Sequence, residues 1–148
     1  MSHITTFDIY YETSQELSVS EIIDMYLSKG WNLDDFGRIS LRPLGDKNDF
    51  DWIELKLDQK NELYDIIRKK VEVKEDPAIA MRLSNTEDSI VTTFFPREKR
   101  INFLLMGPRS RHPELTDWTD INWYIVFIYK PLVENGVGVS QIKFSETV

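Results

Sequence analysis

Residues 121–129 read INWYIVFIY and form the most apolar segment of the chain. The run can be a strand, because β-branched and aromatic residues dominate it and its length suits a buried strand. It can also be a helix, because its isoleucines and the following Leu132 recur at spacings of three and four residues. The flanking residues favour the helix. Thr119 predicts an N-cap, Asp120 complements the positive end of the helix, and Gly136 predicts a C-terminal stop.

Pro131 is the observation against a straight helix. Its ring clashes with the carbonyl group of Phe127 and removes one backbone hydrogen bond, which costs about 3 kcal/mol unless the helix bends. We therefore predict a helix kinked near these two residues, with a central strand ending at Lys130 as the alternative. Because apolar side chains surround the helix, we expect other elements to sandwich it. Trp118 and Trp123 have the spacing of a hydrophobic staple, and either tryptophan is also a candidate for an exposed partner patch.

The rest of the chain carries alternating strand and helix patterns. Ser18 and Glu21 form a capping box that starts a first helix, which Gly30 ends. Asp58 predicts the N-cap of a second helix over residues 59–72. The buried face of this second helix is predicted to consist of four apolar residues, namely Leu63, Ile66, Ile67 and Val71.

Strand patterns fill most of the remaining sequence. Residues 77–84 fit a strand by alternation and a short helix by their Asp-Pro start, and we predict a strand. Residues 31–37 predict a loop. The other predicted strands cover residues 5–12, 38–44, 51–57, 89–95, 101–106 and 139–144, with Ile53, Leu55 and Leu57 pointing inward.

The element order is therefore β-α-β-β-α-β-β-β-α-β. Hairpins joined by helices predict an α+β fold. We expect one domain over residues 1–148, with a mostly antiparallel sheet of six to seven strands and three helices packed on one face. A chain of this length buries a sizeable core unaided.

Composition limits the class of function. The net charge is −7, and all of it lies in the first 76 residues. Such an acidic surface disfavours nucleic acid and favours either solubility or a basic partner. The chain has no cysteine, its start lacks a basic and apolar leader, and no apolar run approaches the roughly 20 residues that span a bilayer. We expect a cytoplasmic protein that does not enter a membrane.

Catalytic and metal-binding patterns are weak. His3 and His112 are the two histidines, and a Ser-His-Asp arrangement would have to use one of them. No glycine-rich phosphate loop is present. The acids and amide around residues 46–51 suggest calcium, but the EF-hand pattern fails, because its fifth position is Phe50 and its twelfth is Leu57. We therefore expect a protein that is not an enzyme and holds no cofactor or metal.

Basic residues gather in the second half of the chain. They flank the predicted strand 101–106 on both sides, so they form one basic rim or lie at opposite ends of the sheet. Two ordinary solvated loops would explain them. The functional hypothesis is a local anion site that comprises Arg97, Lys99, Arg100, Arg109 and Arg111.

The composition is most consistent with a small, acidic, non-enzymatic protein that binds a basic protein partner, with charge steering the encounter and aromatic residues anchoring it. The alternative is a self-associating accessory subunit, a homodimer that uses the aromatic-rich helix as its interface. The predicted partner-binding residues are Trp31, Asp34, Asp35, Asp46, Asp49, Asp51 and Trp52.

The chain resembles small acidic bacterial immunity proteins in overall character. The residues that carry this resemblance are Thr119–Tyr124, Pro131, Leu132 and 134–136, which look like the closing helix–strand unit of that group. The resemblance implies an inhibitor that neutralises a basic protein partner.

Overall fold

The computed structural model describes residues 4–46, 51–83, 86, 89–106 and 110–147. The helices in these ranges are α1 (Val19–Leu27), α2 (Lys60–Glu72) and α3 (Ile121–Val133), and one turn of 3-10 helix covers Pro96–Glu98. The strands are β1 (Ile4–Glu12), β2 (Trp31–Asn32), β3 (Ile39–Leu41), β4 (Ile53–Leu55), β5 (Ala78–Leu83), β6 (Ser89–Phe95), β7 (Arg100–Met106) and β8 (Gly138–Thr147).

The strands form one antiparallel sheet in the order β4-β3-β5-β6-β7-β1-β8. The α+β fold and the predicted element order are confirmed, with one addition. Trp31 pairs with Leu83, so the first residues of the predicted loop form the extra strand β2 beside β5. Two residues are too few for an alternating pattern to reveal a strand.

The register of the sheet separates a covered face from an open one. Phe7 lies opposite Phe103, Phe103 opposite Thr92, and Thr92 opposite Ile79, and all four are buried. The three helices bury their apolar residues in the same core, which confirms that they pack on one face. On the other face, residues such as Leu104 are only half-buried.

The helix starts confirm one predicted cap and correct two. Ser18 caps α1 and accepts a hydrogen bond from the backbone N–H of Glu21, as predicted. Gln59, not Asp58, is the N-cap residue of α2, and it makes no side-chain capping bond. Asp120, not Thr119, caps α3 and accepts from the N–H of Trp123. The position before this cap is therefore occupied by Thr119, so the predicted staple between Trp118 and Trp123 is out of register.

Residues 121–129 are helical, so the strand alternative is wrong. The expectation that α3 is sandwiched is also wrong, because Val126, Tyr129 and Val133 are exposed. These three residues recur at spacings of three and four, so they lie along the side of α3 opposite its buried residues Tyr124 and Ile128. The kink itself stays a prediction.

Trp31 compensates for the proline in α3. Pro131 has no N–H to donate to the carbonyl oxygen of Phe127, which would be its partner in a regular helix. The indole Nε1 of Trp31 donates to that oxygen instead, at 3.1 Å. The ring of Trp31 also packs edge-on against Tyr26 and contacts Phe103. A polar handle on an aromatic core residue thus supplies the hydrogen bond that the helix cannot make.

Two of the four residues predicted for the buried face of α2 are buried, and Ile66 is half-buried against the core. Leu63 and Ile67 are buried as predicted, but Val71 is exposed and Lys70 is buried at 2% exposure. The Nζ atom of Lys70 donates to the carbonyl oxygen of Pro43 at 2.7 Å and to Glu75 Oε1 at 3.0 Å. The ion pair lies at the end of α2, and the bond from Lys70 to the carbonyl oxygen of Pro43 connects it to the chain after β3.

Two remaining predictions concern strands. The strand prediction for residues 77–84 is confirmed over Ala78–Leu83. Leu57 was predicted to point inward, but β4 ends at Leu55 and Leu57 is exposed. None of the described helices is long and apolar enough to cross a membrane.

Candidate protein-binding groove

Three segments of the described chain line an open groove of about 1090 Å³. One wall is residues 13–21, which connect β1 to α1 and include the first turn of that helix. The second wall is the outer face of α2, and the third is the β6–β7 turn at residues 96–99. We call this feature the groove.

The floor of the groove is apolar. Ile67 and Val71 follow one another along one side of α2, at a spacing of four residues. Leu17 approaches from the segment before α1, where it is half-buried, and Val71 is exposed. An apolar strip at the bottom of an open cleft is a surface that a partner side chain can cover.

One rim of the groove is acidic. Glu16 and Glu21 line it, and both side chains belong to exposed residues. Among the described residues neither carboxylate forms an ion pair. Asp65 and Glu72, on α2, flank Arg68, which pairs with both of them at 3.5 and 3.1 Å. Glu16 and Glu21 are therefore the carboxylates in the groove that are open to a cation from outside.

Three basic residues from the turn after α2 and from the β6–β7 turn also line the groove, and we call them its basic rim. They are Lys74, Arg97 and Lys99, and a guanidinium nitrogen of Arg97 donates to the backbone oxygen of Lys74 at 3.2 Å. Lys74 and Lys99 have φ angles of 62° and 49°. The left-handed backbone conformation is unfavourable for a residue with a Cβ atom, whereas glycine adopts it without this cost. Both lysines follow the end of a helical segment, where the left-handed conformation is common.

The remaining predicted anion-site residues lie elsewhere. Arg100 pairs with Asp8 at 2.8 Å and with Glu98 at 2.9 Å, and its guanidinium lies 3.8 Å from the centre of the Phe95 ring. Arg111 bridges to Thr119, near the end of β8.

The basic residues do not form one rim. Arg100 lies opposite Tyr10 in the sheet, whereas Thr119 contacts Thr5 at the other end of β1. The predicted anion-site residues therefore flank opposite ends of the sheet. Arg109 lies outside the described residues.

The acidic residues predicted to bind a partner also lie at two separate places in the fold. Asp34 and Asp35 precede β3, whereas Asp46 and Asp51 lie at its other end, beside the start of β4. The carboxylate of Asp46 is fully buried and pairs with Arg42 at 3.0 Å, so it is not open to a partner. Asp51 is exposed. Asp49 lies outside the described residues.

The two predicted aromatic anchors also have different environments. Trp52 is half-buried near Asp51. Trp31 is at odds with the predicted anchor role, because it is 2% exposed and bonded to α3.

Sequence reasoning missed Phe36. This residue follows the two acids before β3, is 69% exposed and has a φ of 55°, with the guanidinium of Arg82 5.6 Å from its ring centre. Asp34 holds the turn by accepting from the N–H of Gly37 at 2.7 Å. An exposed phenylalanine beside two acids makes residues 34–37 a second, smaller candidate surface, which we call the acidic loop.

The described residues include no group of three or more metal-ligating side chains of the histidine, cysteine or carboxylate type. The Nδ1 atom of His112 accepts hydrogen bonds from the backbone N–H groups of Glu114 and Leu115, at 3.1 and 3.0 Å. This imidazole therefore organises its own loop. His3 lies outside the described residues.

Tyr64 is one of the hydroxyl-bearing residues that line the groove. Its O–H donates to Asp24. Burial and this carboxylate raise the pKa of Tyr64 far above its ordinary value, so the phenol keeps its proton. The groove thus offers apolar contact and fixed charges of both signs.

Comparison with known proteins yields no relative: no family model, no curated protein and no solved structure matches the chain. The resemblance to immunity proteins therefore stays a hypothesis, and the functional argument rests on the groove itself.

Proposed function

We propose that this protein is a non-enzymatic binding protein of the inhibitor or immunity type, which takes a segment of a basic protein partner in the groove. The observation that carries the proposal is that apolar residues, two unpaired carboxylates and three basic side chains line one open groove. This is the arrangement in which apolar contact supplies affinity and the rims supply orientation.

The rims specify the segment. A lysine or arginine of the partner pairs with Glu16 and Glu21, and an acidic group meets Lys74 and Lys99. An apolar side chain between them covers Leu17 and Val71. Overall attraction comes from the net charge of −7, which speeds the encounter with a basic protein.

A displayed library of random twelve-residue peptides tests the proposal without a known partner. Peptides selected on the protein should carry a basic residue, an apolar residue and an acidic residue in that order or its reverse. Calorimetry on a selected peptide should show binding weakened roughly 2- to 30-fold in the variant Glu16→Gln/Glu21→Gln, since each exposed charge pair contributes about 0.2–1 kcal/mol.

The matched control is Asp35→Asn/Asp51→Asn, which removes two carboxylates outside the groove. It should leave peptide affinity unchanged. Peptides that bind the two variants equally well, or that lose affinity only in the control, would show that the groove is not the binding site.

Self-association is the second candidate function. The observation that favours it is the exposed apolar side of α3, formed by Val126, Tyr129 and Val133. Light scattering over a concentration series tests it, since a dimer gives twice the monomer mass at high concentration. The variant Val126→Ser/Val133→Ser should return the mass to that of a monomer if this side of α3 is the interface.

A further inference from the structure

The two edges of the sheet are protected to different degrees. One edge is β4, which has three residues. The other is β8, which has ten and pairs only with β1. Natural sheets blunt their edges with short strands, charges, prolines or bulges, because the unpaired N–H and C=O groups of an edge accept another strand. The β4 edge is blunted by its length, so β8 is the edge that is open to pairing.

Among the described residues, β1 is the one strand that pairs with β8. None of the ten residues of β8 is buried. Its irregularity is confined to the start, where the register against β1 shifts between Tyr10 and Tyr11. Residues 141–147 are regular, and they carry one base, Lys143, and one acid, Glu146. This edge is therefore electrically neutral, although the whole chain has a charge of −7.

We propose that a second copy of this chain pairs with β8, antiparallel to it, so that the two sheets become one sheet of sixteen strands across a two-fold axis. The proposal uses a surface separate from the groove and from the outer side of α3. An antiparallel strand pair between identical chains is self-complementary, which is the requirement for a closed two-fold dimer.

The side chains of β8 select the register. Ile142 and Phe144 point to the helix-covered face, because they lie opposite Ile9 and Phe7, while Lys143 points to the open face with Asp8. A register centred on Lys143 would place two lysines directly opposite each other, which is unfavourable. A register centred on Phe144 places the two phenylalanines opposite each other and Lys143 opposite Ser145 of the second copy.

The Phe144-centred register also covers apolar surface. Ile142 and Phe144 are half-buried, because β8 has a neighbour on one side only. Phe144 already contacts Phe7, at 5.0 Å between ring centres. A facing strand brings a second Phe144 against this pair. The carboxylate of Glu146, which would lie across from Ile142, is already bonded to Thr5 and Thr119 of its own chain.

Substitutions at Ser145 test both the dimer and its register, since Ser145 is exposed and its hydroxyl forms no hydrogen bond among the described residues. Sedimentation equilibrium of the full chain, up to about 1 mM, should show a monomer–dimer equilibrium. Ser145→Lys places a charge opposite Lys143 of the second copy, twice per dimer, and should weaken dimerisation roughly 2- to 30-fold. Ser145→Glu and Lys143→Glu/Ser145→Lys both place opposite charges across this pair, so each should strengthen dimerisation by a similar factor.

Other outcomes overturn the proposal. A wild-type chain that stays monomeric at every concentration excludes the dimer. A dimer that ignores all three β8 variants but dissociates in Val126→Ser/Val133→Ser forms through α3 instead. A dimer in which Ser145→Lys and Ser145→Glu act equally is not aligned on Phe144.

Discussion

Lys70 is a buried cation. Its ammonium group donates to two oxygens, the backbone carbonyl of Pro43 and the carboxylate of Glu75. Glu75 accepts from Lys70 and also from the backbone N–H of Gly45, at 3.0 and 2.9 Å. These donors, the Gly45 N–H first and then Lys70, lower the pKa of Glu75. The Lys70–Glu75 ion pair at the end of α2 is therefore bonded to the chain after β3 through Pro43 and Gly45.

Replacing Glu75 by glutamine should cost about 1–2 kcal/mol at pH 7, because a charged hydrogen bond becomes a neutral one beside a buried ammonium. A carboxyl with a lowered folded pKa stabilises fully above its ordinary pKa of about 4.3, and this contribution disappears as pH falls through the lowered value. The difference in unfolding free energy between wild type and Glu75→Gln, measured in urea, should therefore shrink below pH 4.

The control for this prediction is Glu72→Gln, which removes an exposed carboxylate that pairs with Arg68 on the same helix. It should cost less than 0.5 kcal/mol, as exposed ion pairs do. A difference in unfolding free energy between wild type and Glu75→Gln that stays constant from pH 7 to pH 2.5 would contradict this role of Glu75.

Lys74 occupies a position that usually belongs to glycine. The N–H of Lys74 bonds to the carbonyl of Val71, and the N–H of Glu75 to that of Lys70, which is the Schellman pattern that ends a helix. Gly136 holds the corresponding position after α3, with its N–H on Val133. Lys74→Gly should therefore stabilise the protein by about 0.5–1 kcal/mol, and Gly136→Ala should destabilise it by about 1 kcal/mol.

Thermal and urea unfolding measure both changes. Lys69→Gly, one turn earlier and inside α2, is the control and should destabilise by about 1 kcal/mol. If Lys74→Gly also lowers the affinity of the protein for the peptides selected on the groove, then this lysine is retained for binding at a cost in stability. A destabilised Lys74→Gly variant would show that its backbone is not strained.

At the scale of elements, α3 depends on a side chain from another element. Trp31 supplies the hydrogen bond that Pro131 denies to the carbonyl of Phe127. Trp31→Phe keeps an aromatic ring in the core but leaves that carbonyl without the indole donor, so it should cost about 1–3 kcal/mol. In a Pro131→Ala background the helix supplies its own donor, and the same substitution should cost about 1 kcal/mol less.

This double-mutant cycle is read from urea unfolding of four chains. Equal costs of Trp31→Phe in the two backgrounds would mean that Trp31 acts through packing alone. Trp31→His, which is smaller but retains an N–H donor, should fall between wild type and Trp31→Phe if the hydrogen bond matters.

The strand and helix patterns were predictable because they depend on neighbouring residues. The N-cap at Ser18 and the alternation around Phe7 are local, and both predictions are confirmed. The burial of Trp31 was not predictable, because its reason is a proline 100 residues away. The burial of Lys70 depends likewise on a carbonyl from the chain after β3. Long-range partners decide which polar and aromatic residues lie inside, and a local pattern contains no sign of them.

In the candidate site too, local sequence patterns were predictable and long-range contacts were not. Arg97 and Lys99 were predictable as a basic turn, and the fold places them in one groove with Glu16 and Glu21. Those two glutamates carry no motif of their own. They become notable because the segment before α1 runs beside α2 and the β6–β7 turn, which only the tertiary fold determines.

At the scale of the whole molecule, two acidic surfaces compete for a basic partner: the groove rim with Glu16 and Glu21, and the acidic loop with Phe36. The proposed function assigns binding to the groove. The attraction of a basic partner to either surface is electrostatic, so raised salt weakens binding at both surfaces. Salt dependence alone therefore does not separate the two surfaces, whereas substitutions on each surface do.

The most direct test is capture of a partner from native lysate at low salt by three immobilised proteins: wild type, Glu16→Gln/Glu21→Gln and Asp35→Asn/Asp51→Asn. The account predicts that wild type and Asp35→Asn/Asp51→Asn retain the same basic protein in stoichiometric amounts and release it at the same salt concentration. It predicts that Glu16→Gln/Glu21→Gln releases this protein at lower salt. Equal release from both variants, or earlier release from Asp35→Asn/Asp51→Asn alone, would contradict a groove that binds the partner.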